Sequence, residues 1–222
     1  MPSPLLSYTL APVQIHTSGW LEVRIDGRPL RFEGRGPRKP LELLSLLVTC
    51  GPRGADVSAI ADLLWLDADG FDAYRALITT LHRLRRLLTY RCAVRLGAGR
   101  LSLEPALCDI DVWRLEGLLE GARTRAQLEA ALEHYGGSFL GTDPNPWSVG
   151  MRTRLERAVA RAALKLQVAA REPGRSEGLA PAVRHRLSPL QIHTASKYGE
   201  HRDVSASPRC RVADRRMDRG SE

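Results

Sequence analysis

At 222 residues the sequence is long enough for one full domain and a second, smaller one, and too short for a large multidomain enzyme. Lys and Arg total 33 against 25 Asp and Glu, a formal excess of +8 that weakly favours an acidic partner such as nucleic acid. Hydrophobic residues make up 43% and aromatics 5%, a composition that suits a Leu-, Ala- and Val-rich helical core better than a large β-sandwich.

Residues 1–12 read as an N-terminal extension. From Val13 to Phe32, Val13, Ile15, Leu21, Val23, Ile25, Leu30 and Phe32 alternate with polar residues, which predicts short antiparallel strands. Ser18-Gly19 and Asp26-Gly27-Arg28 mark their turns, because glycine adopts positive φ without steric cost. A connector with Gly34, Gly36 and Pro37 leads to a helix over Arg38–Thr49, with Leu41, Leu44, Leu47 and Val48 at helical spacing and Pro40 in the first turn. Gly51-Pro52 stops it. Ser58 offers an N-cap to a short helix with Ile60, Ala61, Leu63, Leu64 and Trp65, the last expected as a core plug. Asp67 to Gly70 breaks the pattern before a longer helix from about Phe71 to Leu88.

Cys92–Glu104 alternates again around Gly97-Ala98-Gly99, the signature of a hairpin. From Asp111 onward the pattern is helical: Val112–Ala122, Thr124–Tyr135 and Trp147–Arg171, with Leu115, Leu118, Leu119, Leu128, Ala131 and Leu132 as expected packing residues. Beyond Arg171 apolar periodicity fades into Pro, Ser, Arg and Gly, which predicts a disordered tail over 172–222. Gln14-Ile15-His16-Thr17 recurs as Gln191-Ile192-His193-Thr194, too short for a repeat fold. The expected fold class is α+β: a winged helix-turn-helix domain over 13–108 with a small antiparallel sheet, then a partial all-α domain over 109–171.

The apolar runs Leu41–Val48 and Leu63–Leu66 fall short of the roughly 18 residues a bilayer span needs. Met1–Leu10 lacks a basic region followed by an apolar one and a cleavage site, so the expected location is cytoplasmic. Cys50, Cys92, Cys108 and Cys210 form no CxxC pair. His185, His193 and His201 lack nearby cysteines, so neither a metal site nor a cofactor is expected. Phosphate-binding, HExxH, GxSxG and GxGxxG signatures are missing, and no enzyme class is indicated.

The informative feature is the helix after Gly70. At 100° per residue, Tyr74, Leu77, Leu81, Leu84 and Leu88 fall on one side, and Arg75, Thr79, His82, Arg83 and Arg86 on the other. Guanidinium groups and small hydrogen-bonding side chains on one face suit phosphate oxygens and base edges in a major groove. His82 reads equally as a base reader, a phosphate contact or a passive surface residue. A short helix precedes this face across a tight turn and a hairpin follows it, the order of a winged helix-turn-helix. Arg95 and Arg100 flank the hairpin tip, and Arg38 and Lys39 begin a helix whose free amides attract phosphate. Aromatics do not interleave with the basic residues, which argues against binding single strands by stacking.

Three motifs taken together resemble a bacterial regulator family: Gly36-Pro37-Arg38-Lys39-Pro40-Leu41-Glu42-Leu43-Leu44, Ala61-Asp62-Leu63-Leu64-Trp65-Leu66-Asp67-Ala68-Asp69-Gly70 and Leu81-His82-Arg83-Leu84-Arg85-Arg86-Leu87-Leu88. The family joins an OmpR-like winged helix to a bacterial transcriptional activator domain, the SARP arrangement. Gly99-Arg100-Leu101-Ser102-Leu103 and Cys108-Asp109-Ile110-Asp111-Val112-Trp113 are similar to its wing and junction. Tyr135, Gly137, Phe139-Leu140, Trp147 and Arg152 are similar to the start of its tetratricopeptide-like activator domain, which here gives way after Arg171. The resemblance implies double-stranded DNA as partner, Arg75, Thr79, His82, Arg83 and Arg86 as the DNA-facing set, and helices that contact RNA polymerase or a second copy. Two alternatives stay open: a protein-interaction adaptor that uses the winged helix as a scaffold, and a truncated copy of a larger regulator.

Overall fold

Val13 and Ile15 alternate with Gln14 and His16 to form β1 (Val13–His16), whose antiparallel partner is β2 (Glu22–Ile25), with Val13 opposite Ile25 and Ile15 opposite Val23. β3 (Arg28–Pro29) follows a two-residue turn in which Asp26 and Gly27 have φ of 50° and 76°, the geometry that matches strand twist. The computed structural model describes residues 11–32 and 36–170, all within one compact unit. The expected tail over 172–222, including the three spaced histidines, Cys210 and the second Gln-Ile-His-Thr, lies outside the described residues.

Helix α1 (Arg38–Thr49) forms over the expected span, with Pro40 buried in its first turn. β4 (Ala55–Asp56) and α2 (Val57–Leu64) follow. The expected Ser58 cap is not used: the residue before the helix is Asp56, whose carboxylate is turned instead to Arg100 at 2.9 Å. Helix α3 (Gly70–Leu87) is capped by Asp69, which accepts a 2.8 Å bond from the Asp72 amide.

β5 (Val94–Gly97) and β6 (Arg100–Leu103) make the wing, joined by Ala98 and Gly99 at φ 49° and 72°. β6 also pairs with β4, so the wing sheet has the order β4-β6-β5. β7 (Cys108–Ile110) returns to the first sheet, giving the order β3-β2-β1-β7. It runs parallel to β1, so that sheet is not purely antiparallel as expected. Sequence alternation missed β4 and β7 because two or three residues carry no periodicity to read.

The chain then becomes helical: α4 (Asp111–Gly121), α5 (Arg125–Glu133) and α6 (Pro146–Ala170). Thr124 and Gln127 form a reciprocal capping box at α5. The fold is thus mixed α+β, a winged helix followed by helices, and its hydrophobic core runs through both halves from Val13 to Leu166. Leu115, Ala131 and Leu132 are buried as expected and Leu119 and Leu128 partly so, but Leu118 is exposed. It faces a shallow groove of about 320 Å³ beside Gly117, Gly121, Ala130 and His134.

A single carboxylate locks the junction between the halves. Asp111, nearly buried at the start of α4, accepts bonds from the Thr17 amide (2.8 Å), the Thr17 hydroxyl (2.8 Å), the Ser18 amide (2.9 Å) and its neighbour Val112 (2.8 Å). The same turn is clamped on its other side, where the Gly19 amide donates to Ser138 (2.8 Å) and the Leu140 amide to Thr17 (2.7 Å). Trp113 reaches from α4 to donate its indole N–H to the Val48 carbonyl at the end of α1 (2.8 Å). Replacing Asp111 with Ala strands three backbone amides and a hydroxyl, so Asp111→Ala should lower unfolding free energy by about 3 kcal/mol or more in urea titration. A loss below about 1 kcal/mol would show that the junction does not depend on this carboxylate.

Candidate nucleic-acid interface

Ala73, Leu77, Thr80, Leu81 and Leu84 form the buried side of α3, and Leu88 continues it past the last turn. Tyr74 is the exception to the expected leucine side, being 49% exposed. The buried arc is centred near Leu77 and Leu84, and Tyr74 lies roughly 60 to 80° to one side of it at 100° per residue. Small Ala73 and Thr80 take the other flank, both buried, and α2 packs on α3.

The opposite side of α3 carries Arg75, Thr79, His82, Arg83 and Arg86, and all five are exposed. Among the described residues no carboxylate pairs with Arg75, Arg83 or Arg86. Arg75 stacks over the exposed Phe71 ring, 5.7 Å from its centre. The Thr79 hydroxyl donates to the Arg75 carbonyl of its own helix at 3.0 Å, which leaves its lone pairs outward. This face therefore gathers cationic donors that are not satisfied within the fold.

The remaining predicted residues divide. Arg38 is exposed at the first position of α1. Lys39 is drawn inward: its ammonium donates to the Leu64 carbonyl at the end of α2 (2.7 Å), lies 3.2 Å from Glu42 and sits 5.3 Å from the centre of the Trp65 ring. A cation on the free carbonyls of a helix C-terminus is favourable there, so Lys39 fixes α2 against α1. Trp65 is half-buried under that ammonium, part plug and part platform. Arg100 binds the Asp56 carboxylate (2.9 Å) and the Gly54 carbonyl (2.8 Å), which fastens the wing to the strand before α2. Gly54, at φ +62°, must be glycine because a Cβ would run into the Leu101 carbonyl. Arg95 pairs with Glu104 at 2.6 Å yet keeps 67% of its side chain exposed.

Arg85 is the residue that sequence reasoning passed over. Its Nε and a terminal nitrogen both donate to the Val94 carbonyl, at 3.1 and 2.9 Å, tying the last turn of α3 to the first wing strand. The signal was available: at 100° per residue Arg85 lies about 40° from Leu81 and about 100° from Arg86, at the edge of the core rather than on the basic face. With Arg85 on one side and Arg100 and β4 on the other, helix α3 and the wing are held as one surface. Arg85, Arg91, Cys92 and Leu96 together line an open hollow.

No protein-family model matches the sequence, and no curated protein matches it. Among solved structures the fold is similar to that of Mycobacterium tuberculosis EmbR in complex with a low affinity phosphopeptide, with a TM-score of 0.50 and 16% identity over 81% of this chain. The match spans 65% of the EmbR chain. At that identity the likeness is one of fold. No helix among the described residues is long and apolar enough to cross a membrane.

Two outcomes test how the wing is held. Arg85→Ala should speed hydrogen exchange of the Val94–Leu103 hairpin amides while leaving the α1 amides protected, and equal exchange in both proteins would contradict the tie. The Arg95 hydrogen bond, helped by the Ala106 amide, holds the Glu104 carboxyl below its ordinary value of 4.5. A depressed carboxyl stabilises the fold above its unfolded value and loses that contribution as pH falls through the lowered one. A carbon-detected titration of Glu104 should therefore give a midpoint below 4.5, moving back up in Arg95→Ala.

Proposed function

We propose that the chain is a transcriptional regulator of the SARP type that binds double-stranded DNA with the exposed face of α3. The observation that carries this reading is the unpaired basic face of α3, set between a capped turn and a fastened wing. The fold shared with EmbR supports a regulator of this type. On this reading residues 13–108 are the DNA-binding module and 109–171 a partial activator-type helical domain, whose outer surface contacts RNA polymerase or a second copy.

In helix-turn-helix docking the N-terminal part of the second helix reads bases and the rest meets the backbone. That assigns Arg75 and Thr79 to base edges, and His82, Arg83 and Arg86 to bases or phosphates further along. Arg38 and Arg95, both exposed, supply backbone contacts from α1 and the wing. Lys39 and the exposed Arg100 direct donors to groups of the fold itself and serve to position α2 and the wing. The adaptor alternative draws on one feature, the groove beside exposed Leu118, and leaves the α3 face without a role.

The test is affinity for a duplex recovered by selection from a random-sequence library, measured against salt. Phosphate contacts release counterions, so log affinity should fall linearly with log salt, by about 0.9 in slope for each contact. Arg83→Ala and Arg86→Ala should each either lower that slope by about 0.9, or cost about 1 to 3 kcal/mol and relax sequence preference if the lost contact was to a base. A folded double variant that binds like the parent would sink the assignment of this face. Retention of a protein partner with no duplex binding at low salt would favour the adaptor.

A further inference from the structure

Phe71 occupies the first turn of α3 and is 70% exposed, so it contributes little to the core. A scattered apolar residue on a surface needs no explanation. Phe71 is not scattered, and it departs from the expectation that aromatics stand apart from the basic residues: at 100° per residue it lies about 40° from Arg75 and about 20° from His82, within the basic face rather than beside the leucines. The Arg75 guanidinium rests over its ring at 5.7 Å. A flat apolar surface and a planar fork of N–H donors are thus held side by side at the end of the helix that enters a groove first.

That pairing has a counterpart in the major groove. Guanine presents N7 and O6 acceptors that a guanidinium engages bidentately, and thymine presents an apolar C5 methyl that phenylalanine contacts. Phe71 and Arg75 start one turn apart, about 6 Å along the helix, and their side chains converge. Neighbouring bases are about 3.4 Å apart on a strand, so the two groups fit adjacent bases and not distant ones. Stacking on the ring also limits the rotamers of Arg75 before DNA arrives, which lowers the ordering cost of a bidentate contact.

The geometry points to the Phe71–Arg75 pair as the reader of a C5-methylated pyrimidine next to a guanine, an inference that rests on the duplex-binding reading above and adds to it a specificity. Thymine and 5-methylcytosine present the same methyl group in the same place. The two sources differ only in whether the methyl is built into the base or added to the DNA afterwards.

The experiment uses the full chain and the duplex selected from a random-sequence library. Each thymine is replaced in turn by deoxyuridine, and each cytosine that precedes a guanine by 5-methylcytosine. Removing one methyl from an apolar contact should weaken binding about three- to five-fold. The expected result is a loss of that size at one thymine beside a guanine, or, where the site carries cytosine, a gain of that size on methylation. Phe71→Ala should weaken binding and bring the methylated and unmethylated duplexes to parity, whereas Phe71→Leu should keep part of the difference. Circular dichroism shows whether both variants fold. Tight duplex binding by the parent with no methyl discrimination at any position would overturn the inference and leave the DNA-binding reading standing. Discrimination that persists in folded Phe71→Ala would also overturn it. Absence of duplex binding by the parent at low salt would remove both.

Discussion

Helix α1 is apolar around most of its circumference, and the architecture follows from covering it. Pro40, Leu43, Leu44, Ser45, Leu46, Leu47 and Val48 are all buried, and at 100° per residue they span about 260° of arc. A helix of that kind cannot lie on a surface, where one stripe would face a core and the rest water. It needs neighbours on more than one side, and it packs against α2 and α3 on the winged-helix side and α6 on the other. The helices after β7 therefore complete the core of the winged helix rather than hang from it. Trp113, bonded to the last turn of α1, and Asp111, bonded to the turn after β1, register the two halves at the points where that cover closes.

The same constraint orients α3. Once Leu77, Leu81 and Leu84 are committed to α1 and α2, the far side of α3 has to face solvent. What stands there is a run of arginines with His82, Thr79 and Phe71. The cations divide by partner rather than by depth: Lys39, Arg85 and the exposed Arg100 bond to carbonyls or carboxylates of the fold itself, while no carboxylate pairs with Arg75, Arg83 or Arg86 among the described residues. The formal +8 of the chain says little by comparison, since a net charge acquires meaning only through which cations are left unpaired and on what surface.

Much of this was legible in the sequence, for reasons that differ by element. Periodicity located α1, α3, the wing and the three later helices, because each has enough residues for an apolar stripe or an alternation to repeat. Asp26-Gly27 and Ala98-Gly99 made tight turns where Gly was expected to permit them. The basic face of α3 followed from the angle between arginines and leucines. Less legible were features set by tertiary partners. Ser58 has the chemistry of a cap, but the start of α2 was decided by pairing of β4 with the wing. Arg100 and Lys39 look like surface cations until the carbonyls that receive them are placed beside them. Asp111 carries no local signal that its carboxylate will receive two backbone amides from residues more than ninety positions earlier.

The central claim is that the exposed face of α3 meets duplex DNA, and site-specific photocrosslinking tests it most directly. A benzophenone amino acid placed at Thr79, or separately at Ala130 on the outer face of α5, is irradiated with the selected duplex at moderate salt. The account predicts an adduct to DNA from position 79 and none from position 130. An adduct from position 130 with none from position 79 would contradict it.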